Sequence, residues 1–287
     1  MSEAASWVWL NEEFVKREEA FLPAETSGLY YGAGCFETML SEHGSIFRFS
    51  RHFRRLLDGL FYLGVKAAYM PSEDGVREVV ERLLNLNSYE EVPAKVRMQA
   101  SLMTKGGYKD EYPIDFLLLI TTDKASLNIP ARSMIVSETR VVPKECKPAH
   151  LKLSNMLHYR QAGREAKKAG VDDAVMLTSE GLVAESSIAN IFWKRGEKIY
   201  TPSEACDILP GITRNSLLEL LDAEDVYSVE EGEYHIEDLQ HADAAWLTNS
   251  VMGLIPVSEI NGDQFNTQSS FFHRLTDSFE SFKRSEG

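Results

Sequence analysis

The chain is short of the residues and motifs that mark several common functional classes. It has only three cysteines, Cys35, Cys146 and Cys206, which lie too far apart in sequence to indicate a metal-binding spacing or a disulfide framework. Its seven histidines show no paired metal-ligand spacing. A glycine-rich dinucleotide fingerprint, a phosphate loop ending in Gly-Lys-Ser/Thr and a Gly-x-Ser-x-Gly turn are all missing. We therefore expect no metal site and none of the chemistry that these motifs serve.

Positive charge and long apolar runs are also scarce. The formal net charge is -14, with 44 acidic against 30 basic side chains, so binding to nucleic acid or to an anionic membrane is not expected. The longest apolar run is too short to span a bilayer. The segment Met1–Ala5 has no basic region before an apolar stretch, so no signal peptide is expected. With so few cysteines, the chain is expected to work in a reducing cytoplasm.

The patterns that are present alternate between helix and strand. A break at 122–130 predicts a small N-terminal α/β domain at 1–121, a linker at 122–132 and a larger C-terminal α/β domain at 133–287. The predicted class is α/β (α+β). Ser50 is predicted to cap a helix that runs to about Leu63, and Ser72 to cap a second helix. Further predicted helices run from Ser154 to about Lys168 with Gly170 as the stop, from Gly211 to Leu221, and from Ser269. Predicted strands include 7–10, 96–102, 116–122, 134–142, 175–177, 188–193 and 244–247.

Three segments, in this order, supply the groups that pyridoxal phosphate requires. Lys152 lies in the run His-Leu-Lys-Leu-Ser-Asn-Met-Leu, and Glu185 begins Glu-Ser-Ser-Ile-Ala-Asn-Ile-Phe-Trp. The third segment, Leu209–Arg214, reads Leu-Pro-Gly-Ile-Thr-Arg and opens a predicted helix. They offer an amine for a Schiff base, a carboxylate for the pyridine nitrogen and a helix start for the phosphate.

Taken singly, each of these residues also has an ordinary structural interpretation. Lys152 fits a surface lysine at a helix start, Glu185 a solvated turn glutamate, and Thr213 a common helix cap. Arg55 fits either a bidentate phosphate ligand or a solvated arginine on an amphipathic helix. The strand end Thr248–Ser250 offers hydroxyl donors for an anion or simple turn chemistry. Local sequence leaves these alternatives open.

As an ordered set, the motifs resemble the fold-type IV pyridoxal-phosphate enzymes, which include branched-chain aminotransferases, D-amino-acid aminotransferases and aminodeoxychorismate lyases. The resemblance covers nearly the whole chain. It begins at Tyr31–Thr38, which reads Tyr-Gly-Ala-Gly-Cys-Phe-Glu-Thr, and ends at Thr248–Val257. It implies a two-domain α/β subunit with the cofactor between the domains, working as a homodimer on a small amino substrate.

Roles for individual residues follow from the same resemblance. Lys152 is the implied Schiff-base lysine. Thr38, whose hydroxyl is expected to face the substrate, is the second predicted catalytic residue. The implied cofactor-binding residues are Arg55, Lys152, Glu185, Ile212, Thr213 and Ser250. The resemblance implies that Tyr31 and Phe36 line the substrate side. Lys105, Arg140 and Asn249 are further predicted substrate-binding residues.

Within the family, the motifs look most like aminodeoxychorismate lyase. Thr38 stands where branched-chain enzymes usually have glycine, and Leu157 stands where they usually have tyrosine. The predicted reaction converts 4-amino-4-deoxychorismate to 4-aminobenzoate and pyruvate. The alternative is a branched-chain or D-amino-acid aminotransferase that uses 2-oxoglutarate, and a distant one is a non-catalytic binding protein of the same fold.

One segment departs from the lyase pattern. The lyases tend to carry arginines near a Gly-Tyr, whereas here only Lys105 is basic within Leu102–Tyr108. A lysine is a poorer clamp for a carboxylate than an arginine. Lys105 or Arg140 is therefore expected to supply the charge for a dicarboxylate substrate.

Overall fold

The computed structural model describes residues 6–105, 108–109, 114–224 and 227–286. The segment Met1–Ala5, on which the absence of a signal peptide was predicted, lies outside them, as do residues 106–107 of the segment Leu102–Tyr108. The chain divides into two compact units. The first ends at Leu127 but also takes in Leu151–Asn155, and the second comprises Asn128–His150 and Met156–Glu286. The division into independent domains at 1–121 and 133–287 stays a prediction.

The first unit is an antiparallel sheet with helices. Its strands are β1 (Trp7–Leu10), β2 (Glu13–Lys16), β3 (Gly34–Glu42), β4 (Ser45–Ile46), β5 (Ala94–Leu102) and β6 (Phe116–Lys124). Its helices are α1 (Ser27–Tyr31), α2 (Phe49–Tyr62) and α3 (Glu73–Leu86). The strands are hydrogen-bonded in the order β2-β1-β6-β5-β3-β4. Helix α1, which is only five residues long, was not predicted from the sequence.

Strand alternation sorts the site residues of this unit onto two faces. On β3, Cys35, Glu37 and Met39 are buried, whereas Phe36 and Thr38 are half-buried. Successive side chains of a strand point to opposite faces, so Phe36 and Thr38 share one face. The other face packs an apolar core against the inward stripes of α2 and α3.

The two long helices of this unit begin in different ways. Ser72 caps α3 as predicted, because its hydroxyl accepts a hydrogen bond from the backbone N–H of Gly75 at 3.2 Å. Helix α2 begins at Phe49, with Arg48 as the residue before it. The prediction that Ser50 caps α2 is therefore wrong: Ser50 lies in the first turn and donates to Glu73 Oε1 at 2.6 Å.

The second unit contains the remaining elements. Its strands are β7 (Arg132–Val136), β8 (Asp173–Leu177), β9 (Val183–Ser186), β10 (Asn190–Arg195), β11 (Lys198–Pro202), β12 (Ser228–Gly232), β13 (Ala244–Asn249), β14 (Gly253–Ile260) and β15 (Asp263–Gln264). Its helices are α4 (Leu157–Ala169), α5 (Ile212–Glu224), α6 (Ile236–Gln240) and α7 (Ser270–Ser285). With both units mixed in this way, the α/β (α+β) prediction is confirmed.

The strands of the second unit close on themselves. The order is β12-β11-β10-β13-β14-β7-β8-β9, and β9 also pairs with β10, so six strands form a ring. The β9–β10 pairing joins Glu185 to Asn190. One face of these strands builds an apolar core that contains Val175, Ile191 and Leu247. A separate aromatic core packs Phe192 and Trp246 against α5 and α7.

Two predicted elements of the second half have different bounds. The strand predicted over 134–142 ends at Val136. The helix predicted from Ser154 begins at Leu157, because Ser154 belongs to the extended segment Leu151–Asn155 of the first unit. Gly170 does end α4, in the left-handed conformation with φ of 78°, which glycine adopts without a Cβ penalty. Within the described part of the chain, no helix combines the length and apolar character that a membrane crossing requires.

Candidate active site

Lys152 lies on a short extended segment that is paired with β3. The N–H of Phe36 donates to the carbonyl of Lys152 at 2.9 Å, and the N–H of Ser154 donates to the carbonyl of Gly34 at 2.8 Å. A Cβ on Gly34 would lie 2.3 Å from the carbonyl oxygen of Ala100, so glycine is required at this crowded position. Lys152 is therefore held by sheet pairing and is not a mobile lysine at a helix start.

The side chain of Lys152 shares an aromatic ring with a second cation, Arg97. Lys152 Nζ lies 5.0 Å from the ring centre of Phe36, and the guanidinium carbon of Arg97 lies 4.0 Å from it. Arg97 is directly opposite Thr38 in the β3–β5 pairing. Burial lowers the pKa of Arg97, yet an arginine keeps its charge at neutral pH. Phe36, Thr38, Arg97 and Lys152 thus form one cluster with two cations.

Gln99 links Arg97 of this cluster to Ser154, two residues after Lys152. Its Oε1 accepts from Arg97 Nη2 at 2.8 Å, and its Nε2 donates to Ser154 Oγ at 2.7 Å. Neither Arg97 nor Gln99 was among the site residues predicted from the sequence. The available signal was their alternation with the apolar residues of β5, which places them on the face opposite the core.

The core-facing side of β3 carries a buried ionic group. Glu37 is fully buried and accepts from Arg55 Nε at 2.6 Å and from Arg55 Nη2 at 2.9 Å. Its Oε2 also lies 2.7 Å from His52 Nδ1. Arg55 is therefore not a solvated arginine, since its side chain is only 12% exposed and is paired with a carboxylate.

In the second unit, Glu185 is a buried carboxylate within a hydrogen-bond network. Only 4% of it is exposed, so the interpretation as a solvated turn glutamate is wrong. It accepts hydrogen bonds from the Tyr159 hydroxyl, from Asn190 Nδ2 at 3.0 Å and from the N–H of Leu209 at 3.3 Å. Burial, followed by the charge of Glu185, raises the pKa of Tyr159 well above its usual range, so Tyr159 is a neutral donor.

Asn190 links this carboxylate to the loop that precedes α5. Its Nδ2 donates to Glu185 and also to the carbonyl of Leu209 at 2.8 Å. A Cβ on Gly211 would lie 2.2 Å from Asn190 Oδ1, so the loop passes directly over the amide. Tyr159 and Asn190 were not among the predicted site residues. Asn190 reaches Glu185 through the β9–β10 pairing, and Tyr159 reaches it from α4.

The start of α5 gathers hydrogen-bond donors that suit an anion. The first N–H groups of a helix have no partner within it. Thr213 Oγ1 and Ser250 Oγ lie 3.4 Å apart beside this start. Among the described residues, the buried Thr248 Oγ1 has no hydrogen-bond partner. These donors, together with the helix dipole, fit a phosphate group better than a simple threonine cap.

The comparison with known proteins now identifies the family. The sequence matches the model of the class IV amino-transferases over residues 34–260. The chain belongs to the class IV aminotransferase family. It is 32% identical to an aminodeoxychorismate lyase of Bacillus subtilis over 269 residues, which cover 91% of this chain and 89% of the lyase. It is 27% identical to a branched-chain-amino-acid aminotransferase of Pseudomonas aeruginosa over 284 residues, which cover 91% and 87% of the two chains.

The fold of this member of the class IV aminotransferase family is shared with solved structures. The branched-chain amino acid aminotransferase of Thermobaculum terrenum, in its pyridoxal-phosphate form, matches with a TM-score of 0.87 at 20% identity. The match covers 99% of this chain and 95% of that one. The prediction of a fold-type IV, pyridoxal-phosphate-dependent enzyme of this family is confirmed.

The remaining predicted substrate-binding residues lie at scattered positions. Tyr31 ends α1, and its ring centre is 5.3 Å from that of Tyr108. Lys105 is exposed beyond β5, and Arg140 is exposed with its Nη1 donating to Ser137 O at 2.7 Å. Asn249 Oδ1 accepts from two backbone N–H groups of the following turn. Their roles toward the substrate stay predictions.

Proposed function

We propose that the protein is a pyridoxal-phosphate lyase that converts 4-amino-4-deoxychorismate to 4-aminobenzoate and pyruvate. The observation that carries this proposal is that Arg97, which is paired with Thr38 across the β3–β5 ladder, lies against the same Phe36 ring as Lys152. A substrate with two carboxylates requires a cation near the reacting lysine, and the guanidinium of Arg97 offers a bidentate partner. The similarity to the lyase of Bacillus subtilis adds support.

Each unit contains residues that fit a part of the cofactor. Pyridoxal phosphate, when bound, supplies an aldehyde that condenses with an amine and a protonated ring that draws electrons from the substrate. Lys152 would provide the amine, and Glu185 would keep a proton on the ring nitrogen. Arg55, Ile212, Thr213 and Ser250 would bind the phosphate, Ile212 through its backbone N–H.

Each of the remaining site residues has a role toward the substrate. Lys152 would take a proton from the substrate carbon that bears the amino group, once the substrate amine has displaced it. Arg97 would bind a substrate carboxylate, and Tyr31 and Phe36 would line the substrate side. The Thr38 hydroxyl would face the substrate beside Lys152. Breaking the bond between the ring and the enolpyruvyl oxygen would leave aromatic 4-aminobenzoate, and protonation of the released enolpyruvate on its methylene carbon would give pyruvate.

Direct assay of products tests this proposal. The purified protein with pyridoxal phosphate is incubated with 4-amino-4-deoxychorismate, and separately with leucine or D-alanine and 2-oxoglutarate. We expect 4-aminobenzoate and pyruvate in equal amounts, with little amino-group transfer. Robust transamination without 4-aminobenzoate would favour the aminotransferase, the alternative supported by the relative from Pseudomonas aeruginosa. A protein that binds the cofactor and forms no product would favour the binding protein.

We expect Arg97→Met to raise KM for 4-amino-4-deoxychorismate by roughly 10- to 100-fold, because a charged hydrogen bond contributes about 1.5–3 kcal/mol. The measurement is the steady-state rate of 4-aminobenzoate formation. Lys105→Met and Arg140→Met serve as comparisons, since either residue was predicted to supply this charge. A raised KM in one of those variants alone would assign the carboxylate to that residue and not to Arg97.

Arg55→Ala is expected to weaken pyridoxal-phosphate binding by roughly 10- to 100-fold, since it removes a charged phosphate partner. Turnover at saturating cofactor should change much less. The measurement is a titration of the cofactor-free protein with pyridoxal phosphate. Arg54→Ala is the matched control, because Arg54 is 78% exposed and pairs with Asp58 at 3.3 Å. Equal affinities in the two variants would contradict the role of Arg55.

A cytoplasmic homodimer acting on a small amino substrate completes the proposal. Leu29, Tyr30 and Tyr31 on α1 are exposed apolar side chains that a second subunit could cover. Sedimentation of the purified protein as a monomer at all concentrations would contradict the dimer.

A further inference from the structure

Glu37 is the central residue of the Phe36–Thr38 motif, and the proposed function leaves it without a role. Its neighbours on β3 face the Lys152 cluster, whereas Glu37 points to α2 and is fully buried. Burying an ionised carboxylate is costly unless charged partners and hydrogen bonds offset the loss of water. The partners of Glu37 therefore explain why a carboxylate is stable there.

Arg55 and His52 together keep Glu37 ionised. Burial alone would raise the pKa of Glu37, but the charge of Arg55 and the hydrogen bonds from His52 and Arg55 lower it from 4.5 to about 2. Burial lowers the pKa of His52, which is therefore neutral near pH 7. A neutral His52 must donate its Nδ1–H to a carboxylate that only accepts. In the group formed by Glu37, His52 and Arg55, each hydrogen bond therefore has a defined donor and a defined acceptor.

This arrangement fixes the plane of the Arg55 guanidinium. Glu37 binds Nε and Nη2 with one oxygen each, which is the bidentate geometry that holds an arginine in a single orientation. His52 secures Glu37 from the other side, at Oε2. Arg54, the preceding residue on α2, makes an exposed contact with Asp58. Arg55 is thus oriented before any ligand arrives, and its neighbour is not.

We propose that Glu37 and His52 are positioning residues that orient Arg55 toward the phosphate of the cofactor. This inference rests on the phosphate-binding role of Arg55 in the proposed function. Pre-orientation favours binding because less side-chain entropy is lost when the phosphate is bound. If Glu37 only neutralised Arg55, its removal would instead strengthen anion binding.

The first experiment separates geometry from charge. The full-length, cofactor-free protein is titrated by calorimetry with pyridoxal phosphate and with inorganic phosphate. Glu37→Asp keeps the charge but is one methylene shorter, so it cannot keep all three contacts. We expect the Kd for both ligands to rise about tenfold. An unchanged or tighter Kd in a variant with native circular dichroism would overturn the proposal. Glu73→Asp, in the half-buried pair of Glu73 and Arg77, is the matched control.

The second experiment tests His52 through a conservative replacement. His52→Asn can still offer an N–H near the position of Nδ1, whereas His52→Leu cannot. We expect the asparagine variant to stay within about threefold of the native Kd and the leucine variant to lose about tenfold. Equal losses in both variants would show that His52 only fills space, and would overturn its positioning role.

The third experiment distinguishes this inference from the proposed function. If Arg55→Ala leaves the phosphate affinity unchanged, the proposed phosphate site is wrong and the inference fails with it. If Arg55→Ala weakens binding but Glu37→Asp does not, only the inference fails. In the double variant we expect no loss beyond that of Arg55→Ala, because Glu37 acts through Arg55. Fully additive losses would overturn the positioning role.

Discussion

Replacing Lys152 by alanine is expected to lower turnover by about a thousandfold or more. The variant loses both the amine that holds the cofactor and the base that moves a proton, and proton transfer alone contributes roughly 100- to 10,000-fold. The fold should survive, since Lys152 is paired with β3 through its backbone and its side chain is only half-buried. The measurements are 4-aminobenzoate formation and borohydride trapping of the cofactor, followed by peptide mapping.

Lys147 provides a demanding control for this assignment. It is a buried lysine of the second unit, and burial lowers its pKa, which is a property of lysines that react with aldehydes. The protein with Lys147→Met should still trap the cofactor on Lys152. Trapping on Lys147, or undiminished turnover in Lys152→Ala, would contradict the catalytic role of Lys152.

Glu185→Gln should slow turnover by roughly 100- to 1,000-fold while cofactor binding is retained. Without the carboxylate charge, the ring nitrogen loses the partner that keeps it protonated, and a lost charge interaction of about 3–4 kcal/mol gives this factor. The glutamine can keep the local network. Its oxygen accepts from Asn190 and Leu209, and its amide donates to Tyr159, whose hydroxyl can reverse its role.

Single-turnover kinetics measure the slowed reaction of Glu185→Gln, and a cofactor titration measures its retained binding of pyridoxal phosphate. Glu180→Gln is the matched control, because Glu180 is an exposed glutamate in the turn before β9. It should behave as the native protein does. Native turnover in Glu185→Gln would rule out the role of Glu185 at the ring nitrogen.

Several features of the molecule were predictable because they depend on residues close together in sequence. The cap of α3 by Ser72 requires only a hydroxyl three residues before an N–H, and the end of α4 requires only a glycine at Gly170. Alternation along β5 likewise follows from its own residues. The ordered motifs at Lys152, Glu185 and Leu209–Arg214 were enough to predict the family, because each requires only a few adjacent residues.

By itself, the sequence therefore determined the family and the fold class, and it predicted Lys152 and Glu185 as the two central residues of the site. Only the tertiary structure decided their surroundings. Ser154 looked like a helix start, but its segment pairs with β3, more than a hundred residues earlier in the chain. The contact of Arg97 with Phe36 and the ion pair of Arg55 with Glu37 are likewise visible only in the tertiary structure. Local patterns specify which face of an element a side chain occupies, whereas strand order and ring closure specify what lies opposite, and these depend on contacts between distant residues.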